Sequence, residues 1–315
     1  RPPERAAAGR ARRGPDTLAA MAILVIHGGA GTVPERFQDA YRDGLKAAAD
    51  AGYHELTATG DPVAAVLAAV SHMEANERAF NAGVGGAHTR EGRVELDACV
   101  MASDGTAGAV AAVTNSRNPV RLAEKVRTST PHVILAGEGA ERLEDDPVPN
   151  EALLTERTRA ELEAWRAKGT DEPGRGTVGA LALSDDGRLA AATSTGGILA
   201  QYPGRLGDTP VPGAGTWCDA RHALSGTGIG EAFLRTAGCR TVALRIDLGA
   251  TPEAALQAGL DDLVAARGDG GFIYLGADGT FGFAYNTPML AVAYRSPRAS
   301  YEDVAQDPGV RLFRA

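Results

Sequence analysis

Cysteine, aromatic residues and positive charge are all scarce in this chain. Its only thiols are Cys99, Cys218 and Cys239, and Phe, Trp and Tyr together supply 5% of its 315 residues. Three widely spaced cysteines, odd in number, give no disulfide framework and read as buried or incidental thiols. With 32 Lys and Arg against 40 Asp and Glu, the net charge is -8. That balance argues against a general nucleic-acid binder, which needs a basic surface to replace phosphate counterions. The six histidines form no H-E-x-x-H and no cysteine pairing at zinc-finger spacing, so no catalytic transition metal is expected. No G-x-S-x-G elbow accompanies His27-Gly28-Gly29, which removes the lipase-type reading of that run and leaves packing and turn residues. No apolar stretch approaches the ~18 residues that span a membrane. Residues 1–20 carry several arginines but lack the apolar centre of a secretory signal. The expectation is a cytoplasmic protein without membrane partners, with Met21 as its natural start and residues 1–20 as a disordered or non-native extension.

What is abundant is glycine. The 40 glycines are roughly twice the usual share of ~7%, with no collagen period, and imply many tight turns and close backbone approaches. The length suits one large domain. A strand is expected over 22–26, followed by a turn at 27–32, with helices over 35–51 and 62–76 where Ala, Leu and Val recur at helical spacing. Strands are expected over 94–101, 108–114 and 132–136, and a short helix over 120–128. Residues 147–166 read as helical and charged. The polar stretch that follows reads as an exposed linker, the kind of segment that tolerates a break. Strands at 178–183 and 189–194 form a hairpin about Ser184-Asp185-Asp186-Gly187-Arg188. Helices over 230–238 and 252–266 precede closing strands near 271–275, 280–286 and 289–294. Strands in both halves with helices between them indicate an α+β fold, a sheet pair covered by helices.

The chemistry centres on Gly176-Thr177-Val178-Gly179-Ala180, between that linker and an apolar strand. If the Gly176–Thr177 bond breaks, Thr177 becomes an N-terminus carrying a hydroxyl and an α-amine on one residue, so nucleophile and base arrive together. Gly-Thr at a strand start is common by itself. Its company is less so: Thr193-Ser194-Thr195-Gly196-Gly197, Pro203-Gly204-Arg205-Leu206-Gly207-Asp208 and Ser225-Gly226-Thr227-Gly228-Ile229-Gly230-Glu231 all follow within some fifty residues. Upstream stand His27-Gly28-Gly29-Ala30-Gly31, Phe80-Asn81-Ala82-Gly83, Glu95-Leu96-Asp97-Ala98, Pro131-His132-Val133 and Gly137-Glu138-Gly139-Ala140. In this order the motifs resemble the plant-type L-asparaginase and isoaspartyl aminopeptidase family of N-terminal-nucleophile hydrolases, from Met21 almost to the C-terminus.

The resemblance implies an αββα sandwich made as a precursor that cuts itself between Gly176 and Thr177. The products are an α chain, 21–176, and a β chain, 177–315, assembled as a homodimer of αβ units. It implies hydrolysis of L-asparagine and of β-aspartyl dipeptides through an ester on Thr177. Thr195 then tunes the nucleophile, Thr227 and Gly228 form the oxyanion hole, and Asn81 orients Thr177. Arg205 holds the substrate's α-carboxylate and Asp208 its α-ammonium, a fork and an anion that select a free amino-acid head group. No cofactor is required. The family's sodium loop corresponds to the run from Met73 to Phe80, which is one residue longer here and lacks the customary proline. Carbonyls near Met73, Glu74, Asn76 and Phe80 are therefore candidate ligands of a structural sodium ion without an assigned set. The rival readings are a glycosylasparaginase, which a chain without a signal peptide or disulfides fits poorly, a threonine endopeptidase, which the Arg205 and Asp208 clamp disfavours, and a non-cleaving binding or scaffold homologue.

Overall fold

A computed structural model describes residues 21–168 and 176–315. The expectations for residues 1–20 and 169–175 lie outside the described residues. In chain order the strands are β1 (Ile23–Gly31), β2 (Leu96–Ala102), β3 (Ala107–Val113), β4 (Ile134–Ala136), β5 (Val178–Leu183), β6 (Leu189–Thr195), β7 (Thr216–Cys218), β8 (His222–Gly228), β9 (Gly270–Gly276), β10 (Thr280–Tyr285), β11 (Met289–Arg295), β12 (Ser300–Ala305) and β13 (Gly309–Arg314). The helices are α1 (Glu35–Thr59), α2 (Pro62–Glu74), α3 (Pro119–Ser129), α4 (Glu138–Glu141), α5 (Glu156–Lys168), α6 (Gly230–Thr236), α7 (Gly238–Asp247) and α8 (Pro252–Ala265).

Two sheets stack between two helical layers. The larger has eight strands in the order β12-β11-β1-β5-β6-β2-β3-β4, and the smaller has five in the order β13-β10-β9-β8-β7. Strand β1 shows why the layers form. Its run Ile23-Leu24-Val25-Ile26 is apolar at every position, and side chains alternate across a strand, so both faces need cover. Ile23 and Val25 join the core between the sheets with Leu181, Leu183, Ile273 and Leu275. Leu24 and Ile26 face the other way, packing with Leu45, Val66 and Val70 of α1 and α2. A third core seats Phe233, Val242, Leu256 and Leu260 of α6 to α8 against Phe272 of the smaller sheet. Together these layers make the αββα sandwich. No helix among the described residues is long and apolar enough to cross a membrane.

The structure departs from the sequence reading in several places. His27–Gly31 is strand, not turn: β1 runs on to Gly31, with a register shift against β11 between His27 and Gly29. Gly29 absorbs that shift at φ +116°, a conformation open to glycine. Helix α1 continues past residue 51 to Thr59, where Gly60 in the left-handed conformation donates its N–H to the Leu56 carbonyl at 2.9 Å and ends it. Strands β7 and β8, helix α7 and the last pair β12 and β13 were not expected. The β8 stretch, His-Ala-Leu-Ser-Gly-Thr-Gly, is rich in small residues, yet its backbone pairs fully with β9. Its small residues make room for α6, since a Cβ on Gly226 would lie 2.5 Å from the Phe233 ring.

Gly108 of β3 has the same role under α3. A Cβ there would fall against backbone, 2.5 Å from the Arg127 amide nitrogen and closer still to the Ala123 carbonyl oxygen. Backbone cannot swing aside, so Gly108→Ala must push α3 off the sheet. The overpacking cost of roughly 1–3 kcal/mol exceeds the ~0.4–1 kcal/mol gained by stiffening the unfolded chain. A net fall in unfolding free energy is expected, read as a lower denaturation midpoint at unchanged slope.

Candidate active site

The hairpin of β5 and β6 sets the first two side chains. Val178 pairs with Ser194 in the register, so Thr177, just before β5, comes level with Thr195 at the end of β6. The Thr177 hydroxyl donates to Thr195 Oγ1 at 3.3 Å, and the Thr195 hydroxyl donates to the Gly176 carbonyl oxygen at 3.0 Å. Thr195 Oγ1 also accepts the Gly197 N–H at 3.1 Å. Asn81 completes the group: its Nδ2 donates to the Gly176 oxygen at 2.9 Å and to the Gly197 oxygen at 2.8 Å. Its Oδ1 accepts the Ala87 N–H at 2.7 Å, which fixes the amide's orientation.

Two donors thus converge on one backbone carbonyl beside a hydroxyl. The arrangement polarises that carbonyl and can stabilise the oxyanion of a tetrahedral adduct at Gly176. Close approach explains the glycines around it. A Cβ on Gly176 would stand 2.9 Å from Asn81 Cβ, and one on Gly29 of β1 would stand 3.1 Å from the Gly176 Cα. His27, two residues earlier, is fully buried and bonds through Nε2 to Ser225 Oγ at 2.8 Å. Burial drops its pKa to about 3, so it stays neutral.

Beside this bond lies a cleft lined by Thr177, Thr195, Arg205, Asp208, Gly228 and Gly230. Arg205 meets Glu231 of α6 in a forked pair, Nε to Oε1 and Nη2 to Oε2, each at 3.0 Å. Burial works against the Glu231 charge, but the Arg205 guanidinium outweighs it and holds the carboxyl below its usual range. Asp208 is buried with Oδ2 unpartnered among the described residues. Burial raises its carboxyl to about 6. The Thr227 hydroxyl accepts the Ala30 N–H at 3.1 Å, and Gly228, the next residue, lines the cleft.

Two carboxylates beside Arg205 have no role legible in the sequence, Glu231 at the end of residues 225–231 and Asp97 within 95–98. Asp97 is buried, accepts the Ala112 N–H at 2.8 Å and takes a backbone hydrogen bond from Gly207, between Arg205 and Asp208; burial raises it to about 7. The available signal was a lone arginine in an apolar, glycine-rich setting, which requires carboxylates nearby.

In the run of candidate sodium ligands each named oxygen has a partner within the protein. The Met73 carbonyl accepts the Asn76 N–H at 3.2 Å, the Glu74 carbonyl accepts the Val84 N–H at 2.9 Å, and Asn76 Oδ1 accepts the Arg78 N–H at 3.0 Å. The Phe80 carbonyl accepts Nη2 of Arg157 at 2.9 Å. The Glu74 side chain is buried, with Oε1 accepting the Val120 N–H at 3.0 Å, and burial pushes it to about 8. Among the described residues no group of three or more His, Cys, Asp or Glu is placed to hold a metal.

Residues 20–304 match the family described as Asparaginase. A protein of Mus musculus named isoaspartyl peptidase/L-asparaginase is 42% identical over 270 residues, 82% of each chain. The isoaspartyl peptidase of Escherichia coli (strain K12) is 38% identical, covering 87% of this chain and 92% of its own. A plant-type L-asparaginase of Pyrobaculum calidifontis is 39% identical, covering 88% and 98%.

The buried acids give stability a definite pH dependence. Burial lowers His27 to about 3 and His88 to about 4, so above pH 6.5 both are neutral in the fold and hold at most about half a proton each in the unfolded chain, a smaller opposing effect that fades toward pH 8. From there to pH 8, Asp97 and Glu74 are ionised in the unfolded chain but still hold protons in the fold, at about 7 and about 8. The folded state binds more protons, so stability falls as pH rises, by up to ~1.4 kcal/mol per unit for each such group. Glu74→Gln keeps an acceptor for Val120 and should flatten this slope, measured by urea unfolding at pH 6.5 and 8.

Proposed function

The chain belongs to the asparaginase family, and on that premise we propose that it is a self-processing amidohydrolase, converting L-asparagine to L-aspartate and ammonia and cleaving β-aspartyl dipeptides. One observation carries the reading: the Gly176 carbonyl receives both the Asn81 amide and the Thr195 hydroxyl, with the Thr177 hydroxyl on Thr195. In the first step Thr177 Oγ1 adds to the Gly176 carbonyl carbon. Collapse breaks the Gly176–Thr177 C–N bond, the nitrogen takes a proton, and an ester remains. Water then opens the ester, releasing the Gly176 carboxylate and freeing the hydroxyl.

The liberated α-amine has an unperturbed pKa near ~7.7–8.0 and serves as base at neutral pH. Thr177 then attacks the side-chain carbonyl of the bound substrate and expels ammonia, or the amino group of the following residue, leaving a β-aspartyl ester that water hydrolyses. Arg205 receives the substrate's α-carboxylate. Glu231 takes only the Nε and Nη2 edge of the guanidinium, which leaves the Nη1 edge for the substrate. Asp208, with its free Oδ2, receives the α-ammonium. The Thr227 hydroxyl accepts from Ala30 and keeps its own hydrogen to donate, with Gly228, to the substrate oxyanion. A cytoplasmic location and assembly as a dimer of αβ units belong to the same proposal. Three buried free cysteines support a reducing compartment.

Denaturing mass spectrometry of the purified, incubated protein tests the first step. Two fragments meeting at Gly176 and Thr177 are expected, and Thr177→Ala should stay as one chain of 32.4 kDa without activity. A cleaved Thr177→Ala protein, or turnover of aspartylglucosamine faster than of β-aspartyl dipeptides, would overturn the assignment.

The clamp predicts a pH limb. Below about 6, protonated Asp208 no longer attracts an ammonium. Protonation of the α-amine already lowers kcat/KM for a β-aspartyl dipeptide below about pH 8, and the fall should steepen as pH passes through 6, by up to a further ~10-fold per unit. In Asp208→Asn the added steepness should vanish, leaving a lower kcat/KM with the α-amine limb alone.

A further inference from the structure

We propose that Arg157 is the cation around which the Asn81 loop is built, in place of the alkali ion that the family resemblance implies. The inference rests on the functional reading of Thr177 and Asn81, and names the residue that positions Asn81.

The geometry is a clasp. One nitrogen of the Arg157 guanidinium, Nη2, donates to the Phe80 carbonyl at 2.9 Å and to the Gly85 carbonyl at 3.0 Å. These two carbonyls flank Asn81, one directly before it and one four residues after. Nη1 is anchored on Glu161 Oε1, one turn along α5, at 3.1 Å. The side chain is 18% exposed, so the charge works in a largely dry setting. Behind the loop, the Phe80 ring is fixed edge-on against Tyr41 with centroids 5.2 Å apart. Charge-assisted bonds at both ends of so short a loop restrict where Asn81 can point. Its Nδ2 must reach two carbonyls at once, on Gly176 and Gly197.

The same contacts argue against sodium here. A hard cation needs several oxygens converging on one point. The Met73 and Glu74 carbonyls instead accept N–H groups of their own loop, and the Phe80 carbonyl already faces a guanidinium. A metal ion on Phe80 would sit beside a partly buried like charge, whose repulsion is little screened there. The residues present do not fit a sodium ion.

Arg157 acts through Asn81 and touches no reacting atom, so it is a positioning residue. It also lines a second cleft shared with Asn81, through which a small solute can enter the space a truncated side chain leaves. The test compares wild type, Arg157→Lys and Arg157→Ala, as the processed full-length protein, on a β-aspartyl dipeptide at constant ionic strength. Wild type should keep the same rate and melting temperature when sodium and potassium chloride are replaced by tetramethylammonium chloride. Arg157→Ala should lose about 10- to 100-fold in kcat with a much smaller change in KM, as expected for a misplaced orienting group. Millimolar guanidinium chloride should restore part of that loss, and Arg157→Lys should retain more than the alanine variant.

A wild type that slows and melts earlier without alkali ions would overturn the proposal. So would an Arg157→Ala enzyme with kcat within about twofold of wild type, or one whose loss guanidinium does not relieve. If the alanine variant does not fold, the wild-type ion comparison and the lysine variant decide. A wild type inert toward β-aspartyl substrates would sink the functional reading instead, while its melting temperature with and without alkali ions still answers the cation question.

Discussion

The Gly176 carbonyl is the point on which the site is organised. If, as proposed, its own neighbour attacks this peptide bond, the bond must be held still, polarised and reachable, and each demand restricts which residues can surround it. Polarisation comes from the Asn81 amide and the Thr195 hydroxyl, at 2.9 and 3.0 Å. Reach comes from the β5 and β6 pairing, which levels Thr177 with Thr195. Stillness comes from β1, whose Gly29 backbone lies so close to Gly176 that a side chain would intrude. The glycine motif at residues 27–31 thus serves as a wall of the site as well as a strand of the larger sheet.

Charge around the adjoining cleft is unbalanced. Among the described residues, Arg205 stands with Asp97, Asp208 and Glu231 about it. Glu231, in direct contact with the guanidinium, is held ionised, whereas Asp97 and Asp208 are pushed upward because burial outweighs the attraction of a single shared cation. Such a site has an excess of acceptors until a positive group enters. On the proposed reading an ammonium would supply it, and a carboxylate would find the open guanidinium edge. A zwitterionic amino-acid head group satisfies both without changing the net charge of the cleft, whereas a peptide interior offers neither. Specificity of this kind comes from the cost of leaving buried groups unpaired.

What could be read from the sequence, and what could not, divides by range. Thr177, Thr195, Arg205 and Asp208 lie in short motifs whose residue types announce their chemistry, and the structure gathers them around one cleft. The two-faced burial of β1 was likewise written in its unbroken apolar run. Strand β8 was hidden because its residues are small for packing reasons, which gives the composition of a loop. Glu231 and Arg157 were hidden for another reason: each takes its meaning from a contact far along the chain, 26 residues to Arg205 and 77 to Phe80. A charged residue on a half-exposed helix looks like solvated surface until its partner is known.

Helix α5 shows what that distant contact has to achieve. It carries only two buried residues, Thr158 and Leu162, so little apolar area attaches it to the body. Polar bonds do most of the holding: Arg157 to the Phe80 and Gly85 carbonyls, and Arg166 to the Arg90 carbonyl at 3.2 Å. On the proposed reading, cutting the chain after Gly176 would remove the covalent tie between this end of the α chain and β5. Were α5 held by that tie alone, processing would release the helix and slacken the Asn81 loop just as the new nucleophile forms. Because the guanidinium grips both flanks of the loop, the attachment of the helix and the placement of Asn81 depend on the same bonds, and both would outlast the proposed cut.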